Sequence, residues 1–593
     1  MRKNTSMSSV LFFKLLPVQI MIVAMGSINS IVDGVVAGQF IDAVSVGVIG
    51  IFFVVVSILN ATGSVLLGGS SVLSGRYIGS GDVDKTSGVF SLNLTLTTII
   101  SVLSAAILLI FPGAVATFCG ADEHLKGILI PYIYGYAIGI FPQMMAQQLG
   151  TFLQLERQSK RNYAGVATMI ICNILLNITF VAVFKLGLFG LALSTAICNW
   201  IYFFILVSYY LGGKSQLKYS FMKARWSDTL NMVKIGFPGA LLVFCLAMRD
   251  VVLNRLLLSV AGQDGLSAKS SLSMVGGLFI ALCLGGGSVV RMLGSVHVGE
   301  EDRDSIKELI KIGMTKALLF TLVIAVIVIA SSGFVVRLFF ADPTSNVYKL
   351  AYQYFVIYGI SIPLIQVVQV ETNYLQAMGK NICVNVFSFI DGFGSVVFPA
   401  LILAPFLGVF GVWLATPIGI IISALVYPVY AIIHFRHIPR NIDEWLLFEK
   451  DFGVSDDDRL VVNISSMEDV ARTSEQVNEF CKAHGYDRKA SLYSALSLEE
   501  MARNVIEHGF TSDNKKHYLD ARIVNKNEKI LLRIKDDCPA FDPVSMKEQI
   551  KPDDPTRNIG IRMVMRLADE VDYQNLLGLN VLTVTIDRVR AKG

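Results

Sequence analysis

From Leu11 to about Ile433 the chain is a succession of apolar stretches, about twelve of them, each close to the roughly 20 residues a helix needs to cross a hydrocarbon core. They begin near residues 12, 44, 89, 128, 163, 188, 233, 266, 311, 350, 382 and 409. Lipid offers no partner to backbone N–H and C=O groups, so such stretches are expected to be helices that satisfy those groups internally. The first stretch has no clear small-residue cleavage site and is followed by another span, so it is expected to be retained. From Asn441 to Gly593 the residues form an ordinary soluble mixture. The 53% hydrophobic and 16% charged residues overall therefore average two unlike parts that meet near residue 440.

Basic residues set the expected orientation, because cytoplasmic loops carry the excess of Lys and Arg. Alternate loops hold Arg76 and Lys85; Arg157, Lys160 and Arg161; Lys214, Lys218, Lys223 and Arg225; Arg303, Lys307 and Lys311; and Lys380. The other loops have single residues: Lys126, Lys185, Arg255, Lys269, Arg337 and Lys349. Arg2 and Lys3 at one end and Arg436 and Arg440 after the last span join the rich set, so the N-terminus and the C-terminal part are expected in the cytoplasm, with the spans in the cell membrane. Eight cysteines lack CxxC or Cys/His ligand spacing, and most lie in apolar spans, where they are expected to be small fillers.

The apolar part repeats itself. Phe189-Gly190-Leu191-Ala192-Leu193-Ser194-Thr195 returns as Phe410-Gly411-Val412-Trp413-Leu414-Ala415-Thr416, about 220 residues later. Gly79 with Asp82 and Asp84 matches Gly299 with Asp302 and Asp304; Phe152-Leu153-Gln154 matches Tyr374-Leu375-Gln376; Pro17 matches Pro238. Two copies of a six-helix unit are expected, at 10–220 and 221–435, related by an axis along the membrane normal.

The segments "SINSIVDGVVAGQ" (27–39), "GRYIGSGDVDKT" (75–86), "NILLN" (173–177) and "GVWLATPI" (411–418) resemble multidrug and toxic compound extrusion (MATE) transporters over roughly residues 10–435. The resemblance implies two six-helix lobes that export organic cations or amphiphiles, driven by a proton or sodium gradient. A carboxylate in hydrocarbon is costly and by default marks a functional place. Asp33, near the end of the first span, sits where the family's N-lobe has a coupling acid, and it is the leading candidate for proton or cation binding. Glu371 lies in the tenth span, where some branches place a C-lobe cation-binding acid; it could serve the same end or be hydrogen-bonded in a structural role. Asp391 and the adjacent Arg249 and Asp250 suit structural roles, the last two pointing about 100° apart on a helix. Asn173 and Asn177 lie on one helix face at i and i+4. The family pattern there is Asn-x-x-x-Asp, and Asn177 in place of the acid can hydrogen-bond but cannot titrate.

Beyond a linker at 436–457, residues 458–593 alternate strand and helix patterns: "RLVVNISS", "HYLDARIV", "KILLRIKD" and "NVLTVTI" as strands, "MEDVARTSEQVNEFCKAHG", "SLYSALSLEEMARNVIEHGF" and 559–569 as helices. A two-layer α/β domain is expected. "LEEMARNVIEHGF", "IKDDCPAFDP" and "RNIGIRMVMRLADEVDY" occur in the order of the boxes of GHKL ATP-binding domains and most closely resemble anti-sigma-factor serine kinases. That resemblance implies a Mg-ATP site in which Asn504 holds the magnesium, Glu500 is the general base or polarising acid, Asp536 accepts the adenine amino group and Gly560 belongs to the phosphate turn. Hard oxygen ligands suit Mg²⁺, and a glycine lets backbone N–H groups approach phosphate at a helix start. Cys538, Ala540 and Asn558 replace glycines of the pattern and could narrow the pocket. With no P-loop GxxxxGK[ST], ATP is not expected to power transport directly. Three functions follow as candidates: an antiporter with a regulatory ATP-binding domain, a membrane sensor that controls a serine protein kinase acting on an anti-anti-sigma-like or sigma-factor-like partner, and a module that sequesters a partner without catalysis. No direct nucleic-acid partner is expected.

Overall fold

The computed structural model describes residues 7–543 and 559–587, apart from 42, 81, 120, 122, 157, 214, 341, 450, 451, 456, 512–516, 527, 577 and 578. The chain forms two compact units, one of Phe12–Gln154 with Gln158–Phe448, the other grouping Glu449–Gly593 with Met1–Leu11 and Leu155–Arg157.

Twelve long helices build the first unit among the described residues. They are α1 (Met7–Phe40), α2 (Ala43–Gly79), α3 (Val83–Ile110), α4 (Glu123–Leu155), α5 (Lys160–Val183), α6 (Gly187–Leu211), α7 (229–261), α8 (263–299), α9 (Arg303–Phe339), α10 (Asn346–Met378), α11 (Asn381–Leu407) and α12 (Val409–Phe435). Eleven are long and apolar enough to cross a membrane; the other, α7, carries Lys234, Arg249, Asp250 and Arg255. Between α7 and α8 stands a single residue, Gly262, at φ 60° and ψ −147°, a region that essentially only glycine occupies. The expected loop around Lys269 is therefore absent. Helix resumes at once, and Lys269 lies buried in α8 with its Nζ 2.8 Å from Asp250 Oδ1 and 2.9 Å from Asn254 Oδ1. The partner of Asp250 is thus Lys269, not its neighbour Arg249.

The repeat has a local counterpart in geometry. Asp82 caps α3 by accepting from Lys85 N, and Asp302 caps α9 by accepting from Ser305 N, with nearly equal backbone angles (φ −101°, ψ 86° and φ −97°, ψ 90°). The matching glycines also meet. A Cβ on Gly79 would lie 2.0 Å from Val296 O, and one on Gly299 would lie 2.1 Å from Arg76 O. Each copy thus presents the same surface to the other, as a twofold contact requires. The packing continues along α2 to α7, where a Cβ on Gly69 would be 2.0 Å from Met232 O and one on Gly236 1.8 Å from Val65 O. Arg76 Nη2 donates to Ala377 O at 2.8 Å, so the two lobes are latched at this end by backbone approach and by a hydrogen bond, while Gln376 Nε2 donates to Ile235 O at 2.7 Å within the C-lobe and ties α10 to α7. Gly236→Ala is expected to weaken this packing by about 1–3 kcal/mol, the usual cost of overpacking, read as a lower Tm of the purified protein. Gly127→Ala, where an added Cβ meets nothing within 4 Å, should leave Tm unchanged.

The chain stays on the C-lobe after α12. Asn441 caps a short helical turn, Ile442–Trp445. Tyr374 Oη then donates to Leu446 O at 2.5 Å, Tyr427 Oη donates to Trp445 O at 2.6 Å, and Lys307 Nζ pairs with Asp443 at 2.5 Å.

The second unit is a five-stranded antiparallel sheet in the order β1-β2-β3-β5-β4, made of β1 (Arg459–Ile464), β2 (Leu519–Lys526), β3 (Lys529–Asp536), β4 (Glu570–Leu576) and β5 (Leu579–Asp587). Helices α13 (Met467–Ala483), α14 (Arg488–Asn504) and α15 (Ile559–Leu567) form the other layer. Ser466 and Asp487 start α13 and α14 by accepting from Asp469 N and Ala490 N. The core between the layers holds Val477, Leu498, Met501, Ile523, Leu532, Val564 and Val584. Strand β4 escapes a periodicity reading because an edge strand has only one neighbour and tolerates the polar run of "EVDYQNL".

Candidate functional sites

Three of the polar residues singled out in the spans come together in the N-lobe. Asn177 Nδ2 donates to Asp33 Oδ1 at 2.8 Å and lies 3.2 Å from Asn173 Oδ1, while Asn173 Nδ2 donates to Thr195 Oγ1 at 3.0 Å. Thr195 in turn donates to Asp33 Oδ2 at 3.3 Å, and Ser194 donates to Asn177 Oδ1. Asp33 is therefore held on both oxygens by uncharged donors from α5 and α6. Directly after Asn177 the helix widens into a π turn, Ile178–Val183, a distortion often found at functional places.

Glu371 is not part of that cluster. It lies on α10, buried, and its Oε2 has no hydrogen-bond partner among the described residues. It lines a cavity of about 570 Å³ in the C-lobe with Lys311 and Met314 of α9, Tyr374, Tyr427 of α12 and Trp445 of the docked turn. Asp304, Lys307 and Glu308 of α9 line it too, so this buried carboxylate shares its cavity with two lysines, two further carboxylates and the aromatic rings that can face a cation. Asp391 falls in another π turn, Ile390–Gly394 within α11.

In the second unit, Glu500 and Asn504 share one face at the end of α14, and a further π turn, Val505–Gly509, follows Asn504. Glu500 Oε1 is 3.2 Å from Arg503 Nη1. A Cβ built on Gly560 would lie 2.1 Å from Glu500 Oε2, so the first turn of α15 comes close against this carboxylate, and a side chain there would have to push the end of Glu500 aside. Asp536, at the end of β3, is buried. Its Oδ1 accepts from Asn580 Nδ2 at 2.6 Å and from Cys538 N at 3.0 Å. Burial pushes its carboxyl up from the usual range, against the opposing effect of those two hydrogen bonds. Cys538 does not project into open space: it is buried, with Sγ 2.8 Å from where a Cβ of Gly509 would be. Ala540 is exposed, and Asn558 lies outside the described residues.

A family model described as MatE matches residues 19–183 and 238–398, together more than half of the chain. The chain belongs to the MatE family. A second model, a histidine kinase-like ATPase domain, matches residues 465–586. Among curated proteins, the MatE chain is 22% identical over 416 residues to a probable multidrug resistance protein, YoeA, of Bacillus subtilis, covering 67% of this chain and 88% of that one. It is 23% identical over 398 residues to a multidrug export protein, MepA, of Staphylococcus haemolyticus, covering 65% and 86%. Among solved structures it is similar to an outward-facing multidrug resistance MATE family transporter (TM-score 0.67, 17% identity, 72% of this chain and 95% of that one). It is also similar to a transporter of the MOP superfamily from Pyrococcus furiosus (TM-score 0.66, 17% identity, 74% and 100%).

Reading single residues of this MatE chain did not find Ser194, Thr195 or Asn580. Ser194 and Thr195 stood in plain view as part of the repeated Phe-Gly segment, where they served only to mark the repeat. Asn580 binds Asp536 and also donates to the carbonyls of Cys538 and Pro539 at 3.3 Å, so it fixes the loop after β3. Asp536→Asn keeps an acceptor for both donors and removes a charge whose burial is unfavourable. A carboxyl raised in the folded state favours folding only where it is protonated, so at pH 7 the charged form is a net cost. The variant is expected to hold or raise Tm at pH 7, with that advantage shrinking as pH falls, and to lose nucleotide binding. Thermal unfolding from pH 4 to 8 and a binding isotherm check both.

Proposed function

We propose that the membrane unit is a proton- or sodium-coupled antiporter that exports organic cations or amphiphiles, and that the C-terminal unit binds Mg-ATP and regulates it. The observation that carries the first half is the Asp33 cluster. A carboxylate in a span held only by neutral donors can take up a proton or a cation and release it when substrate is exchanged. The relatives named as multidrug resistance and export proteins support the same substrate class. With residues 75–86 on the cytoplasmic side, the glycine contacts between α2, α7 and α8 close the cytoplasmic end, which leaves the opposite side as the exit in this conformation. Glu371 is a second cation-binding candidate, in the C-lobe.

For the C-terminal unit, the meeting of Glu500 with Gly560 and the buried Asp536 support a nucleotide site in which Asn504 holds magnesium and Glu500 acts as base. The docked turn at 442–446 favours a second reading, in which the membrane unit senses a ligand and controls phosphoryl transfer to a serine of an anti-anti-sigma-like partner. Everted vesicles with imposed proton or sodium gradients, with and without ATP, separate the two. Counterflow of a cationic dye supports transport, whereas silence over a broad ligand panel, with ligand-dependent phosphorylation of a partner, supports the sensor.

A further inference from the structure

Strands β2 and β3 pair antiparallel with Leu519 opposite Asp536. Continuing that register past the ladder sets Tyr518 against Asp537 and His517 against Cys538, and Tyr518 N indeed donates to Asp537 Oδ1 at 2.9 Å. His517 Nδ1 lies 3.2 Å from the same oxygen. An imidazole nitrogen, a carboxylate oxygen and a thiol sulfur thus come within 4.8 Å of one another at one end of the sheet. The His517 and Asp537 side chains are only 5% and 15% exposed, and Cys538 is buried.

We propose that His517, Asp537 and Cys538 form a binding site for a divalent transition-metal ion of the zinc class. Nitrogen and sulfur donors disfavour Mg²⁺ and Ca²⁺, which take oxygen, and a mixed imidazole, thiolate and carboxylate set suits Zn²⁺. The 3.2 Å between His517 Nδ1 and Asp537 Oδ1 is close to one edge of a tetrahedron around zinc, whose bonds are about 2.0–2.3 Å long, and side-chain rotation would bring the Cys538 sulfur, within 4.8 Å of both, to the same centre. Three protein ligands leave the fourth position to water. The ion enters as the Cys538 thiol gives up its proton to solvent, so binding strengthens as pH rises. Phe510, its ring centroid 5.9 Å from that of His517, walls one side. Because Cys538 N also bonds Asp536, a bound ion would brace the backbone beside that carboxylate. This site is separate from the magnesium assigned to Asn504, and its test does not depend on nucleotide binding.

The test is titration of the purified full chain, stripped with a chelator, with Co²⁺ as a spectroscopic stand-in. The expected result is one saturable equivalent with a thiolate-to-cobalt charge-transfer band that Zn²⁺ abolishes. The band should be missing in Cys538→Ala, and His517→Gln and Asp537→Asn should bind at least about tenfold more weakly. No saturable band in the wild-type protein overturns the proposal. So does an unchanged band in Cys538→Ala, or wild-type affinity in a folded His517→Gln variant.

Discussion

Asp33→Asn is expected to reduce gradient-driven efflux to the level of protein-free vesicles while leaving the protein folded. The substitution keeps the shape of the side chain and an oxygen that can accept from Asn177 or Thr195, so the cluster loses a charge and little else. An amide cannot bind a proton or balance a cation through the transport cycle, so exchange stops at the coupling step and substrate binding need not. Transport at the wild-type rate by this variant would sink the assignment. The geometry offers a sharper control. Asn177 bonds Asp33 directly, so the double variant Asp33→Asn, Asn177→Asp moves the carboxylate across one hydrogen bond to the neighbouring helix. Partial recovery of efflux is expected, because the acid is restored within the same uncharged shell. Equal loss in the single and double variants would mean that the position of the acid matters as much as its presence.

Asn504→Ala is expected to weaken magnesium-dependent ATP binding by the full chain about 10–100-fold, and Glu500→Gln to slow phosphoryl transfer about 10²–10⁴-fold, the usual range for a lost base, with little change in binding. Phosphoryl transfer depends on position and charge more than on covalent chemistry, and here the two residues sit one helical turn apart with Glu500 held between Arg503 and Gly560. Isothermal titration with and without Mg²⁺ measures the first effect. Single-turnover transfer to serine-containing partners measures the second. No binding of the wild-type chain at millimolar Mg-ATP would defeat the nucleotide reading, and binding without transfer to any partner would leave a module that sequesters its partner.

Most of the membrane architecture was legible because lipid imposes one demand on every span, and a row of apolar residues answers it directly. The junction at Gly262 was not, since a break of one residue leaves no polar loop to see. The i and i+4 pair Asn173 and Asn177 could be placed on one face from spacing alone, yet its partner Asp33 stands 144 positions before Asn177, a separation that periodicity does not bridge. Gly79 and Gly299 match as letters in the repeat, but only the folded backbone reveals that each is a glycine because the two meet. In the C-terminal unit the alternating β3 and β5 could be read, whereas Asn580, polar in a strand, acquires meaning only from Asp536 on the neighbouring strand.

The two tyrosine hydroxyls that grip Trp445 and Leu446 change how the chain between the units works mechanically. A peptide leaving a helix freely behaves as a coil whose ends wander with the square root of its length, and such a coil absorbs a small displacement without passing it on. Here the two hydroxyls remove that freedom as far as Leu446. Below that point the chain is a lever arm fixed to α10 and α12, and a tilt of either helix is carried to its tip. Tyr374→Phe with Tyr427→Phe would release the lever from both helices at once, leaving every other contact of α10 and α12 in place.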